Sequence, residues 1–295
     1  SQRVADIELG AEASGATVQF AADAVAGSDT ALNVKTAANG AELTVNGVET
    51  VSVAATNAAA ALVLNANEAS GETMNINLSG GNKEGFALTF ESVASTSLTH
   101  LTIDGAKLNG ALDLSFGGDQ QVLNVKNLMV KGSASEVDQD FSALAGLITG
   151  TAEDGFTVTL EGGAGNDTFE ASTAIDSFTG AKGENVFNFT AGNSLVQLAD
   201  GKITATDTIT DFAKDDVLTG VANLTISTAT GSVPEGVSLE ELATTLESGS
   251  VFGLGGDSYV LVTADTDLAN VELVKLAGVN LDKLAVNDEG ALAYA

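Results

Sequence analysis

Short runs in which apolar residues alternate with Thr, Ser or Asn fill the first half of the chain. They include TVQF (17–20), ALNVKTA (31–37), ETVSVAA (49–55), AALVLNA (60–66), MNINLSG (74–80), FALTFES (86–92), LTHLTIDG (98–105), ALDLSF (111–116) and VLNVKNLMVK (122–131). A period of two belongs to strands that bury one face. The runs recur about every 11 to 14 residues with no long helical pattern between them, a regularity that fits stacked repeats. The expected fold is therefore all-β: stacked short strands, as a β-solenoid or a sandwich, the solenoid preferred.

Two short helices interrupt this pattern. SEVDQDFSALAGLI (135–148) carries acids in its first turn, where they suit the helix dipole. VSLEELATTLES (237–248) opens on Ser238 with Glu241 three residues on, a capping box. The single proline, Pro234, lies just ahead of it, where it does no harm. Both helices read as connectors between sheet regions.

From residue 162 a second period appears. Blocks of nine run GGAGNDTFE (162–170), ASTAIDSFT (171–179) and GAKGENVFN (180–188). Their sixth positions are Asp167, Asp176 and Asn185, and their eighth are Phe169, Phe178 and Phe187. The first block matches G-G-x-G-x-D-x-U-x, a pattern of calcium-binding parallel β-helix repeats. Glycine permits positive φ and a close approach of carbonyls to an ion. The sixth side chain supplies an oxygen, and the x-U-x triplet is a short strand whose aromatic points inward. Two blocks complete one coil of eighteen residues, so turns 162–167 and 180–185 should lie on one side of the roll. An ion between them would take carbonyl oxygens from both turns and the side chains of Asp167 and of Asn185 or Glu184. The middle block lacks glycine and keeps only Asp176, which marks a metal-poor side. The candidate ligands are thus Gly163, Gly165, Asp167, Asp176, Gly180, Lys182, Glu184 and Asn185, expected to form one good site and at most two.

Composition sharpens this. Eleven Lys and Arg stand against 40 Asp and Glu, a formal net charge of −29, yet 44% of the 295 residues are hydrophobic. Such a chain can bury a core and is not a disordered polyelectrolyte. It repels nucleic-acid phosphates and anionic lipid, whose binding relies on Lys and Arg. Carboxylate self-repulsion calls for a neutralising cation, and hard oxygen donors suit Ca2+. With no cysteine there is no disulfide and no thiolate metal site. No run approaches the roughly 20 apolar residues of a membrane span. No basic-then-apolar Sec-type leader opens the chain. A start at Ser1 suggests a processed product or part of something longer.

At this point the chain resembles the repeats-in-toxin proteins, extracellular bacterial proteins whose calcium-loaded β-rolls fold after type I secretion. ATDTITDFAKDDVLTGV (205–221) is similar to the D-x-I-x-D-F-x-x-x-D-x-L segment that closes such rolls, matched at Asp207, Ile209, Asp211, Phe212, Asp216 and Leu218. GVETVSVAATN (47–57) and LTHLTIDGAKLNGALDLSF (98–116) are similar to the β-rich bodies of surface-layer proteins exported this way. The resemblance implies a β-rich body over 1–150, a calcium-binding β-roll with its closing segment over 151–221, and a C-terminal β-rich region over 222–295. It implies a two-dimensional, calcium-dependent lattice of this chain with itself on the bacterial cell surface, anchored to lipopolysaccharide, although no anchoring region is visible. DSYVLVTADTDLANVELVKLAGVNLDKLAVNDEGALAYA (257–295) resembles an uncleaved C-terminal secretion signal, and Asp265 and Asp267 read as a solvated turn or as further ligands. The nonapeptide array is shorter and more degraded than in many family members.

Catalysis has little support in the sequence. The one histidine, His100, cannot build an H-E-x-x-H zinc site and reads as a structural residue on a strand. No G-x-S-x-G elbow is present, and GGDSYV (255–260) is better explained as a strand entry. Three readings remain open: a self-assembling surface-layer protein and not an enzyme, a secreted adhesin or matrix protein whose roll binds calcium without a lattice, and part of a secreted hydrolase. In the first, calcium is both folding switch and glue. A hundredfold excess over Kd adds roughly 2.7 kcal/mol of stability. Extracellular calcium modules bind with Kd of about 10⁻⁴ to 10⁻³ M, so a millimolar response is expected.

Overall fold

The computed structural model describes residues 3–20, 30–56, 59, 61–68, 72–92, 98–117, 125–148, 150–194, 196–199, 202–226, 245–265, 267 and 270–295. The chain divides into two compact units, one of residues 1–139 with 162–165 and one of 140–161 with 166–295. The expected helix at 237–248 falls almost wholly outside the described residues.

The first unit is a parallel solenoid. Its strands are β1 (Arg3–Leu9), β2 (Gly15–Gln19), β3 (Thr30–Thr36), β4 (Ala41–Asn46), β5 (Thr50–Ala55), β6 (Ala61–Glu68), β7 (Thr73–Gly80), β8 (Phe86–Ser92), β9 (His100–Leu108), β10 (Leu112–Phe116) and β11 (Asn127–Lys131). Odd strands line up as β1-β3-β5-β7-β9-β11 and even strands as β10-β8-β6-β4-β2. Every pairing in both rows is parallel. The chain thus passes from one sheet to the other with each strand, and two strands make one coil. Coil length varies, with Arg3 opposite Thr30, Ala31 opposite Thr50 and Thr50 opposite Asn75. Solenoid rather than sandwich is therefore the architecture. A sandwich would need the antiparallel Greek-key connections that are missing from the described part of this unit.

Alternation explains why it folds. On β3, β5, β7 and β9 the inward residues Leu32, Val34, Val51, Val53, Ile76, Leu78, Leu101 and Ile103 are fully buried. On β4, β6 and β8 the same holds for Leu43, Val45, Leu62, Leu64, Leu88 and Phe90. Parallel stacking at about 4.8 Å places these side chains in columns, each coil burying the apolar face of the next. β1 and β4 were not among the strands expected from the pattern. RVADIEL hides its alternation behind exposed Val4, and AELTVN follows a Gly-rich stretch.

The second unit starts as a parallel coil and ends antiparallel. It contains the one-turn helix α1 (Ser142–Ala145), then β12 (Thr157–Gly163), whose last two residues group with the first unit, β13 (Thr168–Glu170), β14 (Ile175–Ala181), β15 (Val186–Asn188), β16 (Gln197–Ala199), β17 (Lys202–Ala205), β18 (Asp207–Ile209) and β19 (Val217–Thr219). The chain continues with β20 (Thr225–Ile226), β21 (Ser250–Leu254), β22 (Asp257–Thr263), β23 (Glu272–Leu276), β24 (Leu284–Val286) and β25 (Leu292–Tyr294). One sheet runs β14-β18-β23-β22-β21-β20 and the other β13-β15-β19-β25-β24. β14, β18 and β23 are mutually parallel, as are β13, β15 and β19. β22 and β25 then add antiparallel strands. Segment 257–295 is therefore folded onto the coil, with Leu273, Val274, Leu276 and Leu292 wholly buried.

The helix expected over 135–148 shrinks to α1. Phe141 is buried against Phe169 at 5.6 Å between ring centroids, and its N–H donates to the Thr168 carbonyl. Those contacts hold Phe141, midway through the expected helix, at φ −101° and ψ 6°, outside the helical region, so the helix begins only after it. Asp140, the residue before the N-cap Phe141, accepts from the Ser142 N–H at 2.9 Å and its hydroxyl at 2.6 Å.

Each solenoid coil depends on its column neighbours, so truncating one inward residue should be felt in full. Leu64→Ala is expected to cost about 2–5 kcal/mol. Urea unfolding followed by circular dichroism measures this, and a loss below 1 kcal/mol would contradict the packing described.

Candidate metal centre

The nonapeptide blocks become coils in the register expected. Thr168, Phe169 and Glu170 pair with Val186, Phe187 and Asn188, eighteen residues on. The next coil comes from the closing segment: Val186, Phe187 and Asn188 pair with Val217, Leu218 and Thr219. On the other side Ser177 and Phe178 pair with Thr208 and Ile209. This last step spans 31 residues, because the excursion containing β16 and β17 is inserted.

The three eighth-position phenylalanines are fully buried and stacked. Ring centroids lie 5.0 Å apart for Phe169 and Phe187, at 10° between planes, and 5.3 Å apart for Phe169 and Phe178. Phe189, Phe212 and Tyr294 extend the cluster. Each offset-stacked pair contributes about 0.5–1.5 kcal/mol beyond its buried area.

The sixth positions form a second kind of column, built of hydrogen bonds. The Asp167 N–H donates to Asn185 Oδ1 at 3.0 Å. One coil further, the Asn185 N–H and its Nδ2 both donate to Asp216 Oδ1 at 2.9 Å. Asp216 Oδ2 accepts from the Ala213 N–H, closing its own turn. Across the coil the Asp176 N–H donates to Asp207 Oδ1 at 2.8 Å. Asp176 accepts from the Ser172 N–H at 2.6 Å and from the Ser172 hydroxyl at 2.9 Å. The sixth-position oxygen thus satisfies a backbone donor that a tight corner strands without a strand partner.

The remaining expected residues separate. Gly163 and Gly165 group with the first unit. A Cβ at Gly163 would collide with the Ser133 carbonyl oxygen, and one at Gly165 with that of Val137. In the third block, a Cβ at Gly180 would strike the Asn185 amide. These three glycines serve close packing, while positive φ falls on Ala181 and Gly183. Lys182 and Glu184 are exposed, and the Glu184 N–H donates to Asn166 Oδ1 at 2.8 Å. Asp265 shapes a turn, accepting from the Asp267 N–H and from Asn270 Nδ2. His100 is exposed at the start of β9, its Nδ1 2.8 Å from the Thr99 hydroxyl.

The electrostatic centre lies on the side expected to be metal-poor. Asp176 and Asp207 are about 1% and 0% exposed and neither has an ion pair to a described Lys or Arg. Burial pushes Asp176 up to about 7 against the opposing pull of its Ser172 bonds. Burial, and then the neighbouring Asp176 charge, drive Asp207 well above the carboxylate range, and Glu272 adds to it. Glu272 is itself buried, accepting from the Gly192 N–H and the Thr263 hydroxyl. Burial also raises Asp216. Asp207 Oδ2 is buried and accepts no hydrogen bond of good geometry.

This donor set, hard oxygens with uncompensated negative charge, fits a divalent cation of the calcium type. Among the described residues no three acidic or histidine side chains converge on one point, so a cation here would be held by Asp176 and Asp207 with other oxygens. On the opposite column Asn185 is committed to the ladder, so a cation there would draw on the Asp167 and Glu184 carboxylates. Asp207 and Asp216 were readable from the sequence only as closing-segment positions. Their place in the columns is hidden by the 31-residue step.

No protein-family model matches the chain, and no curated protein matches it. No helix among the described residues is long and apolar enough to cross a membrane.

A raised carboxylate pKa has a definite consequence. The folded pair holds protons that the unfolded chain releases near pH 4, so ∂ΔG/∂pH is negative between about 4 and about 7. Metal-free stability should therefore fall across that window. Urea midpoints measured against pH test this, and Asp176→Asn should flatten the curve; an unchanged slope would place the titration elsewhere. Separately, Phe187→Ala should lose about 3–5 kcal/mol in the same assay, and a near-neutral result would mean that the aromatic stack does not hold the coils.

Proposed function

We propose that this chain is a structural protein of a bacterial cell surface, folded by calcium after export and assembling with itself into a two-dimensional lattice. The observation that carries the reading is the Asp176–Asp207 pair: two buried carboxylates, without an ion pair to a described basic residue, between neighbouring coils of a parallel roll. Coils of eighteen residues with Phe in register support it further.

The chain's own residues set the terms. At neutral pH burial of Asp176 and Asp207 opposes closure of the coil, because desolvation penalises their charged forms. Asp167, Asn185 and Asp216 hold the other corner in register by accepting or supplying ladder bonds that need no metal. Calcium, when bound, supplies the positive charge that lets the buried carboxylates remain ionised. In the calcium-poor cytoplasm the roll is therefore weakly folded and competent for type I export, and outside the cell it closes. The strands of 257–295 then pack onto β18 and β19 and complete the unit. An excess of acids over bases keeps the surface dependent on cations for contact between copies.

Calcium titration of the purified chain, followed by circular dichroism and negative-stain electron microscopy, tests this. β-Structure gained at roughly millimolar calcium, followed by ordered sheets, is the expected result. Structure without sheets would indicate a calcium-folded adhesin, and no response to calcium would refute the proposal. Asp207→Asn and Asp167→Ala should each move the calcium midpoint; if only one does, that residue's side of the coil holds the ion.

A further inference from the structure

We infer that Ser194 supplies the third side-chain oxygen for the cation held by Asp176 and Asp207, and that Glu272 positions the loop that carries it. The inference rests on the calcium reading and adds to it a neutral ligand and the strand that delivers it. A calcium-type cation takes about six to eight oxygens, so two carboxylates leave it short. Among the described residues no third acidic or histidine side chain converges on the pair, so the next side-chain oxygen has to be a neutral one. Two oxygens at this point have no use inside the protein. Neither Asp207 Oδ2 nor Ser194 Oγ makes a hydrogen bond of good geometry, and both residues are wholly buried. They are neighbours, since the Ser194 hydroxyl helps to hold the charge on Asp207. Leaving two such groups unmet in a dry interior is costly, and one cation takes up lone pairs from both.

Sequence and topology explain how Ser194 arrives there. AGNS (191–194) repeats AGND (164–167), which makes Ser194 the sixth position of a further, degenerate block of nine. It stands eighteen residues after Asp176, one coil length, and so on the same side of the roll. The chain then leaves on the excursion of β16 and β17 and returns with Asp207, so this side receives two oxygen donors where a regular coil would supply one. β23 fixes the loop from beyond. The Gly192 N–H donates to Glu272 Oε1, and the Leu273 N–H donates to the Ser194 carbonyl at 3.0 Å. The Leu273 carbonyl accepts from the Thr206 hydroxyl, and Val274 pairs with Asp207, so one strand sets the level of both donors. From the near side Asn193 Nδ2 donates to the Ala171 carbonyl at 3.1 Å. Both Glu272 oxygens are spent, one on Gly192 and the other on the Thr263 hydroxyl. Glu272 therefore acts through the loop and through its charge, and is a positioning residue rather than a ligand.

Luminescence lifetimes of Tb3+ bound to the full chain, compared in H2O and D2O, count the waters on the ion, which a purely structural change leaves alone. Ser194→Ala should add about one water, because solvent takes the place of the hydroxyl. Glu272→Ala should do the same by releasing the loop, and should raise the calcium midpoint of folding by about tenfold, as loss of a supporting partner does. Glu272→Gln still accepts from the Gly192 N–H and should keep the parent's water count. A calcium midpoint that moves in Ser194→Ala with hydration unchanged would make Ser194 structural and overturn the assignment. No change in either readout, while Asp207→Asn loses the ion, would overturn it as well and leave the Asp176–Asp207 site standing. Failure of the parent to bind Tb3+ would remove that site and this inference together.

Discussion

Everything in this protein depends on one coil lying in register on the next. A parallel strand pair satisfies backbone groups along its straight part, but the corners between sheets leave donors with no strand partner. In the second unit those donors are met by side chains from the following coil, Asn185 for the Asp167 N–H, Asp216 for that of Asn185, and Asp207 for that of Asp176. Between the corners the stacked rings of Phe169, Phe187 and Phe178 fill the interior. The two columns reinforce each other: a slip by one residue would carry the rings outward and break the corner bonds together.

The same arrangement creates the protein's electrostatic liability. An oxygen that caps a corner in a dry interior is best supplied by Asp or Asn, and where two aspartates stack, as at Asp176 and Asp207, charge is buried upon charge. Asn185 shows the neutral alternative, since its amide accepts from one coil and donates to the next with no charge at all. A column built of aspartate where asparagine would serve makes stability conditional on what neutralises it. In the proposed function that condition separates the inside of the cell from the outside.

Much of the fold was legible in the sequence, because a strand with one buried face writes its period directly into the residues. ALNVKTA, ETVSVAA and MNINLSG became β3, β5 and β7 almost to the residue. The spacing of Phe169 and Phe187 gave the eighteen-residue coil. The helix expected over 135–148 shortens to one turn because acids before an apolar run favour a helix start locally, while Phe141 packs on Phe169 with a non-helical backbone. The glycines were legible as necessary but not for their reason: Gly163, Gly165 and Gly180 make room for neighbouring protein atoms.

Of the candidate site, the sequence by itself determined the chemistry: acids and amides at every ninth residue, glycine beside the first and third of them, and an acidic chain with few bases. Local periodicity sufficed for that, since the blocks are contiguous. Only the tertiary structure decided which acids share a level. Asp207 and Asp216 reach Asp176 and Asn185 after a 31-residue step that no nonapeptide count predicts. It also decided that the buried charge gathers around Asp176, the position that looked poorest in ligands. Burial belongs to the stacked coil and not to any one turn, so the carboxylate with the most perturbed surroundings cannot be found until the coils are closed.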